Sequence, residues 1–388
     1  MNNRRFAFAF LALLISLSTV QLTDAAEPAA PCLVFVGTYT GPKSKGIYSC
    51  RLDTKSGALE PIGLAAETAS PSFLAIHPNG KLLYAANEVD TLSGKRSGAV
   101  SAFSIDLQSG KLALLNHQPS GGAGPCHVSV DGSGKFVFVA NYGGGSIASF
   151  PIKSDGSLGE AATFIQHKGS SVNAQRQEGP HAHCIAADRG NKFVLAADLG
   201  LDKILVYKLD PASGRLLEND PAFGSVAPGS GPRHFSFTPN GNFCYVINEI
   251  KSTLTAFSYD RSRGALKELQ THSTLPADAD PKKNSTAEIE VHPSGKFVYG
   301  SNRGHDTIAA FSLDPKSGQL ALVQHQPTGG KVPRSFGIDP TGSFLLAANQ
   351  NSDSVVVFRI DPKSGSLSPI GQQFQVGSPV CVKLVSVR

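Results

Sequence analysis

LDPKSG at residues 313–318 returns as IDPKSG at 360–365, and the same turn phrase stands five more times along the chain. The other copies are LDTKSG at 52–57, IDLQSG at 105–110, IKSDG at 152–156, LDPASG at 209–214 and YDRSRG at 259–264. Their closing glycines are spaced 46 to 58 residues apart. Between them runs a second phrase, a turn followed by an apolar stretch: HPNGKLLYAANE (77–88), DGSGKFVFVANY (131–142), DRGNKFVLAADL (188–199), TPNGNFCYVINE (238–249), HPSGKFVYGSNR (292–303) and DPTGSFLLAANQ (339–350). Units of this length, each with room for about four short strands separated by turn residues, mark propeller blades. The sequence therefore predicts an all-β, seven-bladed β-propeller.

The second phrase has six copies against seven of the first, and the shortfall tells how the ring closes. CLVFVGTY (32–39) reads like the second strand of a blade that lacks its first, and PVCVKLV (379–385) reads like that missing strand. The seventh blade is thus expected to be closed by strands from both ends of the chain, which removes two exposed sheet edges. Composition agrees: the 40 glycines and 25 prolines fall mostly in turns, and no long 3.6-residue periodicity appears. Residues 26–388 read as a single propeller domain. GSSVNAQRQEG (169–179) is its longest connection and a candidate rim loop.

Residues 1–25 read as a secretory signal: Arg4 and Arg5, an apolar run from Phe6 to Leu17, then small residues around Ala25. The expected mature protein is exported, periplasmic or extracellular, without a membrane anchor. Cleavage would remove Arg4, Arg5 and Asp24 from 35 basic and 30 acidic residues, leaving 33 against 29 and a formal charge of +4. That mild excess, without a Lys/Arg block, gives no footing for nucleic acid. The six cysteines lack metal-finger or small-scaffold spacing and read as buried free thiols. A monomer or weakly associating homo-oligomer is expected.

Laying the blades in register on their hairpin turns exposes the chemistry. Counting from Gly80, Gly134, Asn191, Gly241, Gly295 and Gly342, the residues eight before are Ser72, Cys126, His183, Arg233, Ala287 and Arg334. Those eight after are Glu88, Tyr142, Leu199, Glu249, Arg303 and Gln350. Antiparallel pairing brings the start of the first strand and the end of the second to one face of the disc, so both columns should ring one mouth of the central channel. His183, Arg233, Glu249, Arg303 and Arg334 then converge in one sector. Isolated surface charges would scatter over both faces, whereas converging titratable groups point to a site.

GPRH (231–234) followed by TPNGNFCYVINE resembles the signature region of the seven-bladed lactonase family, which includes the cycloisomerase type of 6-phosphogluconolactonase and the fungal 3-carboxymuconate lactonizing enzyme. The similarity extends through GPHAH (179–183), FVLAADLGLDKILVY (193–207) and YGSNRGHDTIAAFSLD (299–314). It implies an active-site histidine at His183 with His181 close by, a central Arg233–Glu249 pair and a further arginine at Arg303. The expected activity is hydrolysis of a small sugar lactone, with cycloisomerisation or a non-catalytic binding role as alternatives. Glu249 or His183 would take the proton from water and Arg233 would hold the oxyanion. Arg303 and Arg334 would clamp an anionic tail, with His181 and His234 as further substrate contacts. No cofactor or metal is expected. Glu88, Asn87, Asn248 and Glu249 lie near the channel, but the arginines would repel a cation.

Overall fold

Seven four-stranded antiparallel sheets form the chain, as seen in a computed structural model that describes residues 31–92 and 94–387. The leader expected at residues 1–25 lies outside the described residues. Blades 1 to 6 run in chain order, and their innermost strands are Pro71–Ile76, Pro125–Val130, Ala182–Ala187, Pro232–Phe237, Ser285–Val291 and Pro333–Ile338. Blade 7 takes its inner strand, Pro379–Ser386, from the end of the chain and pairs it with Cys32–Thr38 near the beginning. Each inner strand packs on the inner strand of the next blade, and Pro379–Ser386 closes the circle between Pro333–Ile338 and Pro71–Ile76. The expected propeller and its shared seventh blade are both present.

The repeated turn phrase is a blade-to-blade joint. In LDPKSG the Asp314 carboxylate accepts the Lys316 amide at 3.0 Å, and Gly318 takes φ +74°, a left-handed conformation open to glycine. A Cβ at Gly318 would lie 2.3 Å from the Phe243 ring of the preceding blade, while the Gly318 carbonyl accepts the Tyr245 hydroxyl at 2.9 Å. Gly365 meets Phe297 and Tyr299 in the same way. The phrase recurs because each blade must offer a side-chain-free spot to its neighbour's bulky apolar residues, an aromatic ring at five joints, Ile62 and Leu33 at Gly110 and Leu82 at Gly156.

Strand interiors are buried on both faces, so the second strands read as continuous apolar runs rather than alternating ones: Phe136–Asn141 and Phe243–Asn248 are buried throughout. Four of the asparagines that end second strands, Asn87, Asn141, Asn302 and Asn349, fasten the crossover loops between blades, while Asn248 bonds Thr253 and Thr255 of its own blade. Asn87 donates to the Ala69 carbonyl at 2.6 Å and Asn302 to the Thr274 carbonyl at 2.7 Å. In blade 3 the equivalent residue is Asp198, which accepts His167 Nδ1 at 2.7 Å while His167 Nε2 meets the Tyr207 hydroxyl at 3.1 Å. All three residues of that chain are buried, so it braces the blade from within. The six cysteines are buried free thiols.

Candidate active site

Every inner strand carries a β-bulge at one level of the disc. The bulged residues are Ser72, Cys126, His183, Arg233 and Arg334, with Ala287 and Glu288 sharing the irregularity in blade 5 and Val380 occupying it in blade 7. A bulge inserts an extra residue and re-aims its side chain. Here it gathers the column eight residues before each turn around the channel mouth. The second column arrives opposite, one residue beyond the buried asparagine.

The two columns and one loop enclose a cavity of about 270 Å³ lined by Glu88, Cys126, Tyr142, Arg176, His183, Glu249, Arg303 and Arg334. Glu249 is its electrostatic centre. Oε1 accepts Arg176 Nη2 at 2.6 Å, and Oε2 lies 3.0 Å from both Arg233 Nε and Arg303 Nη2. His183 Nε2 stands 3.9 Å from the same oxygen. Burial works to raise the Glu249 pKa, but Arg303, Arg233 and the bond from Arg176 outweigh it and hold the carboxyl well below the usual carboxylate range. Arg303 is pushed down to about 10 by burial, with Glu249 opposing. His183 is held well below the ordinary imidazole value by burial and by Arg233 and His234 beside it, so it is neutral at pH 7.

Across the cavity stands a second network. Arg334 Nη2 donates to the Tyr39 hydroxyl at 2.9 Å, and that hydroxyl donates to Glu88, 3.0 Å from each carboxylate oxygen. The Arg334 guanidinium also lies 5.4 Å from the centre of the Tyr39 ring. Tyr39 directly follows Cys32–Thr38 and is therefore the seventh member of the column that holds Glu88, Tyr142 and Glu249. Aligning blade 7 with the others would have found it from sequence.

Arg176 comes from the 169–179 loop and carries no periodic signal. The loop is pinned by Gln177, which is fully buried and donates to the Leu199 carbonyl at 2.8 Å, and by Ser171 on Asp202 at 2.6 Å. Its neighbour Arg176 thereby reaches Glu249 and the Tyr142 hydroxyl, the latter at 3.1 Å. Beside the mouth, Arg176 and Glu249 also border an open groove of about 590 Å³ with Lys251 and Lys282 on its walls.

The other expected residues divide. His183, Glu249, Arg303 and Arg334 line the cavity. Arg233 lies behind Glu249, only 2% exposed, with Nη1 donating to the Ala287 carbonyl at 2.6 Å. His181 sits at the rim, stacked on Tyr142 with ring centres 4.5 Å apart. His234, one residue past its bulge, lines a different cavity of about 280 Å³ with His127, Glu288, Glu290 and Lys383. Its Nδ1 is 2.9 Å from Glu288 Oε1, and its Nε2 is 3.3 Å from Arg233 Nη1. The same Nη1 is 3.4 Å from Nδ1, so the guanidinium lies over the ring rather than on one nitrogen, and the Glu288 carboxylate, which accepts, places the ring proton on Nδ1. His234 therefore holds Arg233 from behind. In this second cavity burial pushes Glu290 up to about 7, with Lys383 opposing. Among the described residues no group of three or more His, Cys, Asp or Glu side chains is arranged to hold a metal ion. No described helix is long and apolar enough to cross a membrane.

Fold and mouth together define a propeller with an arginine-clasped carboxylate at one end of its channel. The family described as lactonase, 7-bladed beta-propeller, matches residues 33–384. A 6-phosphogluconolactonase of Bacillus subtilis (strain 168) is 41% identical over 305 residues, covering 79% of this chain and 84% of that one. A 6-phosphogluconolactonase of Formosa agariphila is 37% identical over 311 residues, covering 79% and 86%. Among solved structures, the periplasmic gluconolactonase of Pseudomonas aeruginosa superposes with a TM-score of 0.86 at 35% identity, covering 92% of this chain and 100% of that one. The chain belongs to the seven-bladed β-propeller lactonase family, as a homologue of 6-phosphogluconolactonases.

Proposed function

We propose that this chain is an exported lactonase that hydrolyses a sugar lactone, phosphorylated or not, in the cavity between Glu249 and Glu88. The observation that carries the reading is the clasp itself: three guanidiniums on one buried carboxylate, with a fourth across the cavity. Ester opening needs fixed positive charge where the carbonyl oxygen becomes an oxyanion. Arg303 and Arg334 line the cavity and supply it. Held rigid by Glu249 and Tyr39, they need no reorganisation when charge develops. Arg233, first read as the oxyanion donor, is better suited to fixing Glu249 from behind. His183 is a neutral imidazole in the wall, suited to hydrogen-bonding a sugar hydroxyl or the leaving ring oxygen.

The name of the Pseudomonas aeruginosa relative, a periplasmic gluconolactonase, supports export and an unphosphorylated sugar lactone. The names of the Bacillus and Formosa relatives support the phosphorylated one. The test is turnover of δ-gluconolactone and of 6-phosphogluconolactone by the purified protein without its leader, followed by acid release at constant pH. Accelerated opening of either is expected. A protein that binds a lactone tightly and opens neither would overturn the enzymatic reading in favour of a binding propeller.

A further inference from the structure

The cavity contains two carboxylates, and their surroundings give them different work. A carboxylate offers about four lone-pair positions. Glu249 spends its own on Arg176, Arg233 and Arg303 at 2.6 to 3.0 Å. A proton arriving there would have to displace a guanidinium from an ion pair that is only 7% exposed. Glu88 is different. Among the described residues its side chain has one hydrogen-bond donor, the Tyr39 hydroxyl, which straddles both oxygens at 3.0 Å. Arg334 reaches Glu88 through that phenol rather than directly, so the carboxylate is oriented while lone pairs remain turned to the cavity it lines.

The remaining candidates in the wall are weaker acceptors. His183 sits against Arg233 and His234, which oppose its protonation. Cys126 is buried, which keeps its thiol protonated. Tyr142 accepts from Arg176.

We propose that Glu88, not Glu249, is the general base of the lactone hydrolysis, oriented by the Tyr39–Arg334 pair. The proposal rests on the lactonase reading. A water between Glu88 and the bound lactone gives its proton to the Glu88 carboxylate as its oxygen bonds to the carbonyl carbon. The carbonyl π pair moves onto the oxygen, next to Arg303. When that pair returns, the bond from carbon to ring oxygen breaks. The departing ring oxygen takes the proton from Glu88, and the product is the open hydroxy acid. One water is consumed, and Glu88 ends as it began.

The experiment compares substitutions at the two carboxylates in the leaderless chain, on whichever of δ-gluconolactone and 6-phosphogluconolactone the wild type opens. Glu88→Gln should lower kcat by about a hundredfold to ten-thousandfold, the range of lost acid–base catalysis, with KM changed less than about threefold. Formate should restore turnover to Glu88→Ala by entering the vacated space as a substitute carboxylate. Tyr39→Phe, which keeps the ring but removes the orienting hydroxyl, should lose roughly tenfold in kcat. Glu249→Gln, which frees Arg303 from its partner, should lower kcat as well, but formate should not rescue Glu249→Ala. A Glu88→Gln enzyme with kcat within about threefold of wild type, or formate rescue confined to Glu249→Ala, overturns the assignment while leaving the lactonase reading intact. A wild type that opens neither lactone overturns both. Glu88→Asp, which keeps the charge and shortens the reach, covers a failure of Glu88→Gln to fold: its kcat should fall at least tenfold, and wild-type turnover in it overturns the assignment.

Discussion

Glu249 is the keystone of the cavity, because its single carboxylate ties together the guanidiniums around it. Three arginines converge on it, and two of them, Arg233 and Arg303, are almost entirely enclosed with it. Replacing it with glutamine leaves those guanidiniums buried without their counter-charge. Loss of one partner from a buried ion pair costs about 3 to 5 kcal/mol. Glu249→Gln should therefore lower the unfolding free energy by about that much at pH 7, measured by urea denaturation. The pH dependence follows from linkage. The folded pKa lies below the unfolded value, so the native protein binds fewer protons there and the carboxylate's contribution is complete above the unfolded pKa of about 4.3. It is lost as the pH falls below that value towards the folded pKa. The gap between wild type and variant should be constant from pH 6 to 8 and narrow below about pH 4; a gap that widens in acid would contradict the clasp.

At the scale of elements, the inner-strand bulge and the 169–179 loop build the site by different routes, and they differ in how far the sequence discloses them. The bulge sits at the same count before every turn, so a column of residues eight before the hairpin glycine gathers His183, Arg233 and Arg334 before any coordinates are known. The opposing column adds Glu88, Tyr142, Glu249 and Arg303 by the same arithmetic. What a column cannot say is which side chain faces the lumen. Arg233 lies behind Glu249 because the Ala287 carbonyl and the His234 ring from neighbouring positions draw it there, and His234 turns to the other cavity because it follows the bulge. Arg176 escapes altogether, since its place depends on Gln177 and Ser171 anchoring an aperiodic loop. That loop gives a prediction of its own. The Arg176 side chain is 41% exposed, so Arg176→Ala should change stability by less than about 1 kcal/mol. A charged hydrogen bond lost from the substrate cavity is worth about 1.5 to 3 kcal/mol, so KM should rise roughly tenfold to a hundredfold. Gln177→Ala, which unpins the loop without touching the cavity, should reproduce part of that rise. An unchanged KM in both would make the loop a bystander.

At the scale of the whole molecule, the site depends on the ring being closed, because its residues come from all seven blades and one interblade loop. Closure rests on the strand Pro379–Ser386, whose Val380, Cys381 and Val382 are buried between blades 6 and 1. Burying a side chain such as valine contributes about 1.5 to 3 kcal/mol, and a domain has about 5 to 15 kcal/mol of net stability. Losing the strand would remove a large part of that margin. It would also bare the edge of Cys32–Thr38, a ready template for aggregation, and take Lys383 from its place 3.9 Å from Glu290. A chain ending at Ser378 should therefore be insoluble or lack a cooperative unfolding transition. A second rearrangement separates loss of the strand from mere change at the chain end. The Val387 amide donates to the Pro31 carbonyl at 2.9 Å, so these two points lie side by side. A short linker from 387 to 31 with new ends opened in the exposed 153–155 turn should preserve every strand and convert the closure from hydrogen bonds to a covalent bond. That permuted chain should be soluble, unfold in one transition and melt at or above the wild-type temperature, since blade 7 no longer frays from a free end. If the truncated chain folds as well as the permuted one, blade 7 does not hold the ring, and the mouth must be kept together by the blade-to-blade glycine joints alone.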